Sequence, residues 1–203
     1  MADSFREMIE NAMYEGVDLD CIGFSSDAIE DVNAFGVSIS ASYFKSCAFI
    51  QCSFERVNFS NVTFTHCDFQ NLPLRSCSFH NCVFESCRMT GADMMNCTFR
   101  HTEFKACMMD YVNLSSSKIA ETAFSGCNME NAALNNVQLK NTHFDKCRLI
   151  RAEITNTRLA AIDFTTCELS GLLVSIDCLK GAIVTQFQAL EISRLLGIII
   201  KDE

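Results

Sequence analysis

Cys47-Ala48-Phe49-Ile50-Gln51-Cys52-Ser53-Phe54 places Phe five residues from Phe and Cys five residues from Cys. Outward from this stretch the interval holds in both directions. Every fifth position from Tyr14 to Leu179 is a large apolar residue except Ala34, through 34 consecutive positions without insertion or deletion. Fourteen of these positions are Phe, nine Leu, four Met and four Ile, with one Val, one Tyr and one Ala. A second column lies two places earlier in each pentad and holds mostly small or β-branched residues, including 11 of the 13 Cys. Of 41 charged residues only Asp27 and Asp177 fall in either column. Two residues per pentad therefore point inward, and three face solvent or turn.

A period of five is neither the 3.6 of a helix nor the 2 of a flat strand. It suits a short extended piece followed by a tight turn. A longer period counts the sides: Phe24, Phe44, Phe64, Phe84, Phe104, Phe124, Phe144 and Phe164 recur every 20 residues. Cys47, Cys67, Cys87, Cys107, Cys127, Cys147 and Cys167 do the same. Residues 20 apart must share a column, so one coil is four pentads and the cross-section is a square. The predicted fold is all-β, a quadrilateral parallel β-helix of about 8.5 coils, on the order of 40 Å long at ~4.8 Å per coil. Six of eight Gly fall two places after a central residue, where a turn needs positive φ.

Both ends depart from the repeat. Ser4 with Glu7 is a capping-box pattern opening a helix over Phe5–Met13, with Gly16 as its stop. Its apolar face is expected to close the open first coil, as the caps of solenoids do. Thr185 with Gln188 repeats the pattern before a helix over Gln186–Leu196, then Gly197 and a short strand at Ile198–Ile200. The organisation read from the sequence is a capping helix in 1–13, the β-helix in 14–181 and a cap or dimerisation module in 182–203.

Residues 1–31 carry nine acids against Arg6 alone, whereas residues 32–170 carry 12 acids and 12 bases. The acidity of this −9 chain is an N-terminal feature, and binding of nucleic acid through a basic patch is not expected. Asp18, Asp20, Glu30 and Asp31 are the candidates for contact with a basic partner, or else a solvated end. No apolar run reaches the ~18 residues that span a bilayer. The first ten residues lack the basic and apolar regions of a secretory signal, and 13 Cys point to a reducing cytoplasm. The Cys column reads as buried small hydrophobes, because parallel side chains neither converge on a metal nor suit disulfide geometry. His66, His80, His101 and His143 all occupy outward positions. A rod filled by its own side chains has no pocket in which a nucleophile, base and acid could converge, so no enzymatic activity, cofactor or metal is expected.

Segments such as Cys47–Phe54 and Ala92-Asp93-Met94 resemble the A(D/N)LXX unit of the pentapeptide-repeat family, with Cys and Phe as common variants. The resemblance implies a right-handed hand for the β-helix. Within the family, the segment from Phe187 to Ile200 resembles that of the Qnr quinolone-resistance proteins and their mycobacterial relative. There a helix and strand join two rods end to end, and the DNA-shaped dimer binds DNA gyrase or topoisomerase IV. The resemblance implies a homodimer through Phe187, Leu190, Leu195, Leu196, Ile198 and Ile199, and a type II topoisomerase as partner. The alternative is a β-helical scaffold for another protein. The chain departs from many Qnr proteins in lacking outward loops, and from a DNA mimic in the charge balance of 32–170.

Overall fold

The computed structural model describes residues 4–197 and 199. Pentads wind into a four-sided parallel solenoid in which residue i pairs with residue i+20, as in Phe64↔Phe84, Phe84↔Phe104 and Phe104↔Phe124. The first face, centred on Leu19, Ile39, Phe59 and their successors, is a seven-stranded parallel sheet ending at Gln138–Lys140. A second sheet of seven strands carries the Phe24-to-Phe144 column. The third and fourth faces begin as strands, then continue largely as isolated bridges such as Arg88↔Met108 and Asp93↔Asn113.

That loss of regular strand has a local cause. From Phe69 onward the corner after the third face closes as a β-turn, with Leu72 N–H donating to Phe69 O at 3.1 Å and Ala92 N–H to Met89 O at 3.0 Å. A turn with positive φ at its third residue is type II in character, and here Asn71, Gly91, Tyr111, Asn131, Arg151 and Gly171 hold that place. The same backbone sign recurs at each corner from Cys21 to Ala161. Twenty-six non-glycine residues have positive φ, spaced in fives from Cys21 to Ala161, and Gly36, Gly91 and Gly126 occupy the gaps between them. Their N–H groups donate to the next coil, as Ser46 does to Thr65 O at 2.8 Å. This bond is one compensation for a conformation that costs a non-glycine residue on the order of 1 kcal/mol or more.

Inside, Phe84, Phe104 and Phe124 stack with centroids 4.8 Å apart and planes within 5°. The stack loosens at both ends, to 5.8 Å at Phe24–Phe44 and 5.6 Å at Phe144–Phe164. Every member of the Phe column but Phe24 is buried, as are all seven members of the Cys column. The thiols also satisfy backbone carbonyls of the coil before: Cys67 Sγ donates to Phe44 O at 3.3 Å, and Cys107 Sγ to Phe84 O at 3.4 Å. Thr102 and Thr157 do this with hydroxyls at 3.2 and 2.8 Å, which explains why Cys, Thr and Ser alternate in one column.

At the N-terminus α1 (Phe5–Glu15) has the full capping box, Ser4 with Glu7, and ends on left-handed Gly16. It is two residues longer than the spacing predicts. Tyr14 therefore belongs to its last turn, 88% exposed, and the inward column starts at Leu19. Phe5 closes the barrel, edge-on to Phe24 at 5.3 Å and to Phe44 at 5.4 Å. At the other end the last pentad slips. A 3-10 turn over Ile176–Leu179 buries Cys178 in place of Asp177, so the charged residue escapes the interior and Leu179 is only partly buried. Then α2 (Gln186–Ser193) runs into a 3-10 turn over Arg194–Leu196, shorter as an α-helix than expected. Gln188 completes the Thr185 capping box and turns its Nε2 inward to Phe164 O (2.8 Å) and Cys167 O (2.7 Å), fastening α2 over the last coil. Of the expected strand, Ile198 and Ile200 lie outside the described residues, and Ile199 is exposed and not in a strand.

Candidate interaction surfaces

The interior offers no site. The void among the Phe rings near Phe44 and Phe64 is about 10 Å³, room for about one water and far below a ligand pocket. No group of three or more His, Cys, Asp or Glu among the described residues is placed to hold a metal. All 13 Cys are free thiols. Burial pushes the Cys82 thiol up to about 11. In the seven-Cys ladder Cys47, Cys87, Cys127 and Cys167 are pushed up by hydrogen bonding to neighbouring sulfurs and by burial. Cys67, Cys107 and Cys147 are pushed down by those same sulfur contacts, so the direction alternates along a ladder that is buried throughout.

What remains is the outside, and its charge is sorted by face. The third face carries four of the 12 acids of residues 32–170, Asp68, Asp110, Glu130 and Glu168, interleaved with Arg88, Arg148 and Arg151, and the second face carries four more, Glu85, Glu103, Asp145 and Asp163. Arg88 pairs with Asp68 at 3.2 Å, Arg148 with Glu168 at 3.1 Å, and Arg151 with Glu130. On the first face Arg100, Lys118, Lys140, Arg158 and Lys180 supply one exposed cation from each of five successive coils. Glu121, at the corner beside them, is the acid in reach: its Oε2 lies 3.8 Å from Arg100 and 2.7 Å from His101 Nε2. His80 and His101 meet edge-to-face at 5.7 Å, above an open groove that Glu121, Asn141 and His143 also line.

The four acidic candidates do not form one patch. Asp18 and Asp20 flank Leu19 on the first face, and Glu30 and Asp31 follow Ile29 on the third. Ten residues is half a coil, so the pairs sit on opposite sides of the rod. Asp20 accepts from Ser40 Oγ (2.6 Å) and Cys21 Sγ (3.2 Å), bonds that hold its carboxyl below the usual range. Phe187 is 81% exposed, Leu190 45%, Leu195 39% and Ile199 86%, while Leu196 and Ile198 lie at positions whose side chains are outside the described set.

The basic first face is the surface that reading the charge along the chain misses. Segment sums average over all four sides. Reading the charged residues at the 20-residue interval of the Phe column separates the faces and exposes it.

Fold and surface together define a filled, four-sided repeat rod whose chemistry is carried outside. The family description "Pentapeptide repeat region" matches residues 37–114, 57–134 and 104–174, more than half of the chain. The chain belongs to the pentapeptide-repeat family. Among solved structures it is similar to a trypsin-treated variant of QnrB1, a plasmid-mediated fluoroquinolone resistance protein, at 18% identity and TM-score 0.48, over 91% of this chain and 100% of that one. It is also similar to HetL, a pentapeptide repeat protein involved in heterocyst differentiation regulation in the cyanobacterium Nostoc, at 10% identity and TM-score 0.43, over 89% and 96%. A third is Rfr23 from the cyanobacterium Cyanothece, at 13% identity and TM-score 0.30, over 90% and 100%. Comparison with curated proteins finds no match. No helix among the described residues is long and apolar enough to cross a membrane.

Proposed function

We propose that this chain is a non-enzymatic interaction rod that pairs tail to tail through its C-terminal segment and binds another protein with its outer faces. The observation that carries the reading is the apolar surface of α2 and the residues after it. Phe187 and Ile199 are almost wholly exposed while Gln188, on the same helix, is committed to the last coil. A helix fastened to the last coil by Gln188 and Ile192 and presenting Phe187 and Leu190 outward is suited to be covered by a like surface. The test is mass in solution. The wild-type chain of 22.7 kDa is expected at twice that mass by light scattering, and Phe187→Asp with Leu190→Asp at the monomer mass with unchanged β circular dichroism. A wild-type monomer, or a dimer that survives the double variant, refutes the pairing.

A second reading gives the rod a type II topoisomerase as partner, held in place of DNA and modulated or protected from quinolones. It is favoured by the resemblance of Phe187–Ile200 to the Qnr segment and by the net −8 of residues 1–31, which tail-to-tail pairing carries to the two far tips. Because the first face turns basic from Arg100 onward, such binding would work through the tips rather than along the whole rod. Gyrase supercoiling with and without a quinolone, at tens of micromolar rod, decides it: the joint absence of inhibition, of protection and of a complex rules it out.

A further inference from the structure

We infer that the C-terminal half of the first face is a docking surface for a short, extended acidic segment of a partner protein. The inference deepens the interaction-rod reading and rests on it. Arg100, Ala120 and Lys140 form one outward column, and Thr98, Lys118 and Gln138 the other. The following coils add Arg158 and Lys180, which meet across an open groove of about 780 Å³ that Ala160, Gly181, Ser175 and the carboxylate-bearing Asp177 also line. One cation per coil alternates between the two columns. Within a column cations stand two rungs apart, roughly 10 Å, and the columns are two residues apart, roughly 7 Å. Small residues, Ala120 and Ala160, separate them and leave each head group room.

Lys118, Lys140, Arg158 and Lys180 make no ion pair among the described residues, whereas most of the arginines of the third and fourth faces do. Unneutralised like charges on one flat face repel one another, and a partner's carboxylates relieve that repulsion. The backbone of the face is already spent on coil-to-coil bonds, such as Lys118 N–H to Cys97 O at 2.9 Å, so a partner cannot join as an added strand. Recognition must go through side chains. Five rungs cover on the order of 20 Å, the length of about six extended residues, whose alternate side chains point down every ~7 Å.

The length of the ladder selects a peptide over a nucleic acid. Toward the N-terminus the same face runs through Ser78, Ser60 and Ser40 to Asp18 and Asp20. A duplex is stiff over ~150 bp. Laid along the rod it would be carried onto this acidic end, and laid across it would reach only a rung or two. A single strand needs aromatic platforms, and the outward positions of this face hold no Phe or Tyr.

The experiment uses the full chain and fluorescence anisotropy of a labelled peptide of about eight residues, alternating Glu and Ser, at ~20 mM salt where screening is weak. Binding is expected, with none to the same peptide carrying Gln for Glu. Lys118→Glu with Lys140→Glu and Arg158→Glu should weaken it at least tenfold, and the three Gln replacements should weaken it in the same direction. Lys45→Glu with Arg56→Glu and Lys146→Glu makes the same charge change on other faces and corners, and should cost less than threefold. Absence of binding, or equal loss in the two Glu triples, overturns the proposal. So does a ~20 bp duplex that binds more tightly than the peptide and is lost with the same three cations. Tail-to-tail pairing is read separately by light scattering, so failure of this face and failure of the rod's pairing are distinguishable.

Discussion

Alanine at position 106 holds φ at 50°, in a region where Cβ crowds the following carbonyl. The family of corners to which it belongs includes eight Asn and two His, types that tolerate this conformation, but also Lys146, Arg151, Tyr111 and Glu121. The fold imposes the angle and the residue adapts. Ala106→Gly is therefore expected to stabilise the rod by about 0.5–1 kcal/mol, the relief of strain exceeding the extra entropy of an unfolded glycine. An unchanged or lower urea midpoint would show that these corners are not strained. Cys21 occupies the first such corner and is the exposed thiol among the 13. Its bond to Asp20 raises its pKa, so the folded chain should label slowly at a single thiol and at all 13 in denaturant. Asp20→Asn removes the carboxylate that disfavours the thiolate, and labelling of Cys21 should then speed up at the same pH. Rapid native labelling of several thiols would contradict the burial of the Cys column.

At the scale of elements, each coil contacts mainly its two neighbours, so damage should stay local. Phe5→Ala removes the ring that lies edge-on over Phe24 and Phe44 and is expected to cost ~3–5 kcal/mol in the first coils. Hydrogen exchange should then quicken at Phe24 and Ile29, while amides near Phe104 keep their protection; uniform loss would mean that the rod unfolds as one unit. Phe104→Ala, deep in the stack, is expected to cost a similar ~3–5 kcal/mol but to weaken coils on both sides of it. The four-sided winding was legible because each inward residue obeys two intervals at once, as Phe64 and Cys67 do. The ends were legible only in outline. Gly16 marks where α1 stops, but nothing in the pentad count separates helical Tyr14 from inward Leu19. The slip at Asp177 follows from its charge, which cannot replace Cys178 inside the rod. Gln188 was recognised as a capping residue, yet its second role at Phe164 and Cys167 depends on contacts 24 and 21 residues away.

For the whole molecule, outward positions obey no interval, because solvent accepts any polar residue and only a partner selects among them. That is why charge read along the chain implied a neutral body, whereas the coil sorts the same residues into an ion-paired third face and a basic first face. The sorting bears on how two rods can meet. Side by side through their first faces, two copies in parallel would set ladder against ladder, with Lys118, Lys140 and Arg158 opposed to themselves. Tail to tail, Phe187, Leu190 and Ile199 are covered and both ladders stay open to other partners. The two arrangements differ in length more than in mass. Each rod is on the order of 40 Å, so a tail-to-tail dimer should reach at least ~80 Å in its longest dimension by small-angle X-ray scattering, and a side-by-side dimer little more than one rod. Phe187→Asp with Leu190→Asp should halve that dimension. A dimer of single-rod length that the double variant leaves intact would place the contact on a face, and the solvent-facing apolar residues of α2 would then need another explanation.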